Sequence, residues 1–411
     1  MKGKYSDVMK EKNFSRYLVA NVISRFGDAV DSIAIPYLVY QITGSAALMA
    51  ILAGLNFIPN IVLQPFSGVL VDYFSKKKIQ LICNLGRAVA VIVVMLLYLT
   101  AGLQLWHLVV FTLFNSTMES FQMPASSALV QLILSEEKYS AGLSLKSSLI
   151  SATELVGVGL AGIIIAYLGI EGALIIDGTT FVICALLMGS LNYPPEELIH
   201  AKINLDRYFS DLKAGLNYIK TKRVVVFVCI LAAAVNFFTM PFNSLYVAYV
   251  EDILLMGPEG LAVVSMSLSV GMLLGSMAYP KLVEKMNEDT MLRIFGILVS
   301  LLLCGVVLGS LQSSLIMKYI VMSLSIQIAG FSLAIINLLA QITFTKQIDK
   351  NYMGRCSAVL GAICVCAMPI SSFITASLTQ VASMSVILCV GAIASALTFI
   401  IMSYRSEAKQ M

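Results

Sequence analysis

Apolar runs long enough to cross a bilayer follow one another along almost the whole chain, with polar segments between them. A helical crossing takes about 20 mostly apolar residues. Twelve such runs can be read, at residues 17–41, 46–71, 79–101, 106–134, 141–168 and 172–192, then 224–250, 260–282, 291–311, 317–345, 355–380 and 384–404. In hydrocarbon a backbone has to satisfy its own polar groups, so runs of this length predict helices. A connection as short as Ser75-Lys76-Lys77-Lys78 cannot reach across a bilayer, which makes the helices on either side antiparallel neighbours. The expected fold class is an all-α polytopic membrane protein with twelve transmembrane helices.

Charge supports that class and orients the chain. Only 12% of the residues are charged and 59% are hydrophobic, against about 25% charged in soluble domains. The net charge of +4 is spread over short loops and forms no contiguous basic patch, which excludes nucleic acid as a partner. Lys2, Lys4, Lys10, Lys12 and Arg16 share one side with Lys76 to Lys78, Lys138, Lys202 to Arg223, Lys281, Lys285, Lys346, Lys350, Arg405 and Lys409. The opposite loops hold Glu171, Glu251, Asp252 and Glu259, with Lys318 as the one exception. Basic loops stay inside, so both termini are expected to be cytoplasmic in a multi-pass protein of the cell membrane. Residues 1–16 are Lys-rich and lead directly into the first run, so no cleavable leader is expected.

The longest polar segment divides the chain in two. Residues 193–223 carry Pro194-Pro195 and an amphipathic stretch from Asp206 to Lys220. This predicts a six-helix N-terminal bundle at 1–192, a cytoplasmic linker at 193–223, and a six-helix C-terminal bundle at 224–411 with a short cytoplasmic tail. The halves echo each other, making a pseudo-symmetric pair. Gly68 to Lys78 follows the second run, and a degraded copy, Gly275 to Lys281, follows the eighth.

Ionisable residues inside the runs are the first functional candidates, because each costs about 2.5–3.5 kcal/mol to insert. Arg25, Asp28 and Asp31 stand three apart on the first helix and share one broad face. One of these aspartates is a candidate for the coupling proton; alternatively Asp28 only neutralises Arg25. Glu119 lies mid-helix with no basic residue nearby in sequence, as a proton site or as a partner for a cationic substrate. Glu154 is a further proton candidate, or the partner of Lys146 or Arg87. Asp177 is another, or an outer-gate or packing residue. Arg87 pairs with one of these acids or snorkels to the inner surface.

Other chemistry has no foothold. Eight cysteines are scattered, and Cys364 and Cys366 have no further ligand near them in sequence. No phosphate-binding glycine loop with its lysine appears, and no nucleophile-elbow pattern. Neither an enzyme, a metal nor a cofactor is expected.

The stretch Gly68-Val69-Leu70-Val71-Asp72-Tyr73-Phe74-Ser75-Lys76-Lys77 resembles the loop motif of the major facilitator superfamily. Gly68, Leu70, Asp72, Lys76 and Lys77 match it, while Tyr73 and Ser75 replace an arginine and a glycine. Further stretches resemble the macrolide-efflux and siderophore-export branch of that superfamily: Thr43-Gly44-Ser45-Ala46, Pro124-Ala125, Ser135-Glu136-Glu137, Ile176-Asp177, Met240 to Leu245, Tyr352-Met353-Gly354-Arg355 and Ala367-Met368-Pro369. The resemblance implies a proton-driven exporter of macrolide-like or other amphiphilic compounds, working by alternating access. A siderophore, peptide or lysolipid could be the cargo on the same fold, and a non-transporting membrane sensor is the reading from another class. In the fifth helix, Gly157 to Gly162 keeps the glycines of the family's antiporter motif without its proline.

The resemblance also assigns an inner gate. It implies that Asp72 faces the start of the eleventh helix beside Gly354 and Arg355, where a carboxylate favours a helix N-terminus. The lysines are expected to set topology and meet anionic lipid. For the substrate, Tyr37, Asn115, Asn236, Phe238, Met240, Asn243 and Tyr246 are candidates for a greasy, polar-dotted cavity. Gly157, Gly162, Gly271, Gly275, Gly330 and Gly361 are expected to let helices approach closely. The expected partners are a small amphiphilic substrate, protons and the lipid bilayer, with the protein working as a monomer.

Overall fold

The computed structural model describes residues 7–192, 205–349, 352–405 and 408, and among them the chain is helical without a strand. The helices are α1 (Lys12–Thr43), α2 (Ala46–Leu55), α3 (Ile58–Tyr73), α4 (Lys76–Leu99), α5 (Leu105–Ile133), α6 (Glu136–Gly189) and α7 (Leu205–Thr221). They continue as α8 (Arg223–Tyr249), α9 (Gly257–Val283), α10 (Glu288–Val299), α11 (Leu301–Ser310), α12 (Leu315–Gln347), α13 (Met353–Leu378) and α14 (Met384–Ser403).

Local chemistry sets the ends. Gly44 takes φ +59 between α1 and α2, and the Ser45 side chain accepts the Leu48 N–H as an N-cap. Gly169, at φ 70 and ψ −178, breaks α6 into two helices within one continuous stretch. The sequence runs ending at 168 and restarting at 172 anticipate this break. A π-helical turn, Val250–Leu254, extends α8 and stops at Leu255 in the left-handed region. Prolines 36, 124, 241, 280 and 369 lie inside α1, α5, α8, α9 and α13. Such prolines are tolerated in membrane helices, where neighbouring groups satisfy the freed carbonyls.

Nine helical stretches among the described residues are long and apolar enough to cross a membrane. One of them, Glu137–Gly189, has 53 residues and holds the Gly169 break, so it has the length for two passes. Two more helices have the length but carry polar groups midway: α1 with Arg25, Asp28 and Asp31, and α5 with Asn115, Glu119 and Gln122. These lengths leave room for the twelve passes read from the sequence. Large apolar side chains such as Leu186, Met277, Ile316, Val390 and Ile401 are exposed. Apolar residues inside and outside together mark a helix bundle surrounded by lipid.

The chain forms two compact units: Met1–Leu38 with Ile58–Leu205, and Val39–Phe57 with Asp206–Met411. Set beside the 1–192 and 224–411 halves, the 193–223 segment is divided after Leu205 and Val39–Phe57 clusters with the second unit. The reason is packing. A Cβ on Gly54 would come 2.9 Å from the Phe373 ring, Ser372 Oγ donates to the Ala50 carbonyl at 2.5 Å, and the Tyr40 hydroxyl donates to Asp252. The first unit has a core of Phe14, Tyr17, Leu18, Leu129, Val130, Cys184 and Met188. The core of the second gathers Val225, Leu231, Met291, Ile335, Leu339 and Phe399.

Within the second unit, α9 and α12 meet along glycines. A Cβ on Gly330 would fall 2.5 Å from the Leu268 carbonyl oxygen, and one on Gly271 or Gly275 would overlap a backbone carbonyl of α12. Gly157 plays the same part in the first unit, where an added Cβ would come 2.6 Å from the Ala29 Cβ. Gly361 differs from the expectation: nothing lies within 4 Å of its Cβ position, so it mediates no close approach. The linker helix α7 packs on the start of α13. Tyr218 stacks on Tyr352 with ring centroids 4.3 Å apart, and its hydroxyl donates to Asp349 Oδ2 at 2.7 Å. Pro194-Pro195 and the acids after it lie outside the described residues.

Candidate functional site

The first unit gathers its charged residues on α1, α4, α5 and α6. The α1 residues stand one turn apart, so Arg25 and Asp28 point to one side of that helix. Arg25 Nη2 donates to Glu154 Oε2 on α6 at 3.0 Å, while its Nη1 lies 3.9 Å from Asp28 and 4.0 Å from Glu119. Glu154 therefore pairs with Arg25, where the alternative to a proton site had been Lys146 or Arg87. Asp28 is not merely the neutraliser of Arg25 either, because it accepts a hydrogen bond from Arg87 Nη2.

Arg87 is the most enclosed cation of the group, at 4% exposure. Its Nε donates to Asn115 Oδ1 at 2.7 Å, its Nη1 to Gln122 Oε1 at 3.4 Å, and its guanidinium lies 4.1 Å from the Phe181 ring centroid. Fully engaged inside the unit, it does not snorkel to a surface. Asn115 is thereby a partner of Arg87.

Five carboxyls (Asp28, Asp31, Glu119, Glu154 and Asp177) thus share a region with two guanidiniums. Glu119 has Arg25 at 4.0 Å, a cation its sequence neighbourhood did not show. Asp31 Oδ1 and both carboxyl oxygens of Asp177 are buried without a hydrogen-bond partner among the described residues. Asp177 faces α1 at Gly27, where an added Cβ would come 2.8 Å from its Oδ1.

A neutral polar ladder supports the charges. Gln80 Nε2 donates to the Gln122 carbonyl at 2.7 Å, Asn84 Nδ2 to the Gln80 carbonyl at 2.7 Å, and Gln122 Nε2 to Asn84 Oδ1 at 3.3 Å. Asn60 donates to Ser116 Oγ at 3.2 Å, and Lys146 Nζ to Ser126 Oγ at 2.9 Å. Sequence reasoning passed over Gln80, Asn84, Gln122 and Asn60. The signal was present: Gln80, Asn84 and Arg87 recur at i, i+4 and i+7, as do Asn115, Glu119 and Gln122.

The remaining candidates fall elsewhere. On α8, Met240 and Tyr246 are buried in packing, Tyr246 stacked on Phe242 at 5.2 Å. Asn236 donates back to the Ala232 carbonyl at 2.9 Å, Phe238 is half-buried and Asn243 is exposed. Tyr37 is buried. Of the motif, Lys76 is 7% exposed and Lys77 Nζ donates to the Leu191 carbonyl at 2.6 Å, while Lys78 is exposed. The side chains of Gly68, Leu70 and Asp72 lie outside the described residues. Gly354 has open space around it, and Arg355 lies over the Tyr352 ring at 5.9 Å.

Residues 17–370 match the family model of the Major Facilitator Superfamily. The chain belongs to that superfamily. It is 24% identical to macrolide efflux protein A of Streptococcus pyogenes over 358 residues, 86% of each chain. It is 23% identical to the multidrug efflux pump Tap of Mycolicibacterium fortuitum over 374 residues, 89% of each. An uncharacterized MFS-type transporter of Bacillus subtilis, YkuC, is 29% identical over 226 residues, a match spanning 53% of this chain and 52% of that protein. Among solved structures, the nucleoside transporter NupG superposes with a TM-score of 0.71 at 11% identity, over 96% of this chain and all of that one. An inward-facing bacterial homologue of the iron transporter ferroportin gives 0.71 at 15% identity, over 96% and 99%. These likenesses carry the fold: this major facilitator chain is a multi-pass membrane transporter.

Proposed function

We propose that this transporter exports macrolide-like or other amphiphilic compounds from the cell in exchange for protons, with both termini cytoplasmic and the monomer as the working unit. The observation that carries the reading is the surplus of carboxyls over guanidiniums on α1, α4, α5 and α6. Buried carboxyls without a cation are costly as charges and cheap as acids. Such groups can exchange a proton for a cationic or polar part of a substrate. The efflux proteins among its relatives support the direction of transport and the cargo class. The Gly68 to Lys77 stretch, with Asp72, Gly354 and Arg355, serves as the inner gate in this reading.

The test is export of a panel of macrolides, cationic dyes and lysolipids from cells, with and without a protonophore. Macrolide or dye efflux that stops when the gradient collapses supports the reading. Efflux that persists without a gradient overturns the antiport, and no flux of any solute from correctly inserted protein overturns the exporter.

A further inference from the structure

Of the five carboxyls gathered around Arg25 and Arg87, two have no ion pair among the described residues. Asp177, on the second half of α6, is 1% exposed, and neither of its carboxyl oxygens has a hydrogen-bond partner among the described residues. Asp31, three residues beyond Asp28 on α1, has a buried Oδ1 in the same condition. Asp177 is held against α1 by the absence of a side chain at Gly27. Gly27 and Asp31 stand four residues apart, one above the other on the same face of α1, so the Asp177 carboxyl that meets Gly27 lies on the face that carries Asp31. The charged neighbours of this corner are Asp28 on α1 and, bonded to it, Arg87 on α4.

We propose that Asp31 and Asp177 form one proton-holding site, a single proton shared between the two carboxyls, and that this couple carries the transported proton in place of Glu119 or Glu154. The proposal rests on the exporter reading above. Its physical basis is donor supply. Unpartnered carboxylate oxygens in a buried site lack donors, and a protonated carboxyl is a donor that its neighbour can accept from. Like charges sharing one site resist ionising together, so one proton for two carboxyls is the favoured occupancy. Arg87 is engaged elsewhere: Nη2 donates to Asp28 and Nε to Asn115. Glu119 and Glu154 stand in a different position, since Arg25 accompanies both.

The couple also has a way to report its state. Proton binding forms one O–H bond and draws the proton from the aqueous side. Proton release returns it to water and leaves a second negative charge beside Asp28. Arg87 is then drawn away from Asp28 toward the couple, and the guanidinium moves one α1 turn. This is a discrete change on α4 that substrate export can be tied to.

The test uses the full chain reconstituted in lipid. Infrared spectroscopy follows the C=O stretch of protonated carboxyls through an acid-to-alkaline titration. Asp177→Asn and Asp31→Asn are each expected to remove the titrating band, and Glu119→Gln to leave it. A band that survives both aspartate substitutions, or that Glu119→Gln alone removes, overturns the proposal. In the same vesicles, both aspartate variants are expected to lose erythromycin export driven by a pH gradient and to keep erythromycin movement down its own gradient. Gradient-driven export retained by both overturns the coupling role. Wild-type vesicles that move no erythromycin count against the exporter reading alone, and the infrared arm still decides the couple.

Discussion

Gly27 and Asp177 meet with no room between them: a Cβ on Gly27 would sit 2.8 Å from Asp177 Oδ1 and overlap Thr180 Oγ1. Thr180 cannot swing clear cheaply, because its branched side chain is stiff and its hydroxyl donates to the Asp177 carbonyl at 2.7 Å. Gly27→Ala is therefore expected to push α1 and α6 apart and to cost about 1–3 kcal/mol, as overpacking does. Thermal unfolding of the purified protein measures this, and unchanged stability would contradict the contact.

Arg87 and Arg25 predict opposite sensitivities. Arg87 has a side chain 5% exposed and holds Asp28. Removing one partner of such a pair leaves an uncompensated charge, so Arg87→Ala is expected to destabilise by about 3–5 kcal/mol. Pairing it with Asp28→Asn should recover part of the loss. Arg25 and Glu154 are 33% and 48% exposed. Their pair is worth about 0–1 kcal/mol, and Glu154→Gln should leave the unfolding midpoint nearly unchanged. Equal losses at Arg87 and Glu154 would refute this ordering.

The positions of the helices were readable because lipid admits few alternatives. Charged partners were not. Arg87 and Asp28 stand 59 residues apart, and Arg25 and Glu154 stand 129 apart. Spacing along one helix tells which face a residue occupies, but not which helix lies opposite. That is why Lys146 and Arg87 stood as the alternative partners of Glu154 and Arg25 did not, and why the bond between Asn115 and Arg87 could not be read from the sequence. The placement of Val39–Phe57 was hidden for the same reason, since it depends on Phe373, Ser372 and Asp252 far along the chain.

Glycines of the second unit give a matched control. A Cβ on Gly271 would overlap the Gln327 carbonyl oxygen, an atom of the α12 backbone that has no rotamer to change. Gly271→Ala is expected to cost about 1–3 kcal/mol and to lower the yield of folded protein. Gly361 lies in α13 with nothing within 4 Å of its Cβ position. There Ala adds helix propensity without a clash, so Gly361→Ala should be neutral or stabilise by about 0.5–1 kcal/mol. Unfolding curves of the two variants side by side decide the matter, and a loss at Gly361 equal to that at Gly271 would count against it.

The last prediction concerns the linker helix. Tyr218 of α7 holds α13 by two separable contacts, a ring stack on Tyr352 at 4.3 Å and a hydroxyl bond to Asp349 at 2.7 Å. An aromatic pair is worth about 0.5–1.5 kcal/mol beyond its burial, and a hydrogen bond of this kind contributes about 0.5–1.5 kcal/mol net. Tyr218→Phe removes the hydroxyl with both its bonds to Asp349, the one donated to Oδ2 and the one accepted from the Asp349 N–H at 3.2 Å, and Tyr218→Ala removes the half-buried ring as well. Backbone amides in the first turn of α13, from Met353 to Cys356, report the outcome through hydrogen exchange. Exchange should quicken modestly in the phenylalanine variant and several-fold more in the alanine variant, while α9 and α12 stay unchanged. If the alanine variant protects that turn as well as the wild type does, Tyr218 contributes nothing to holding the start of α13.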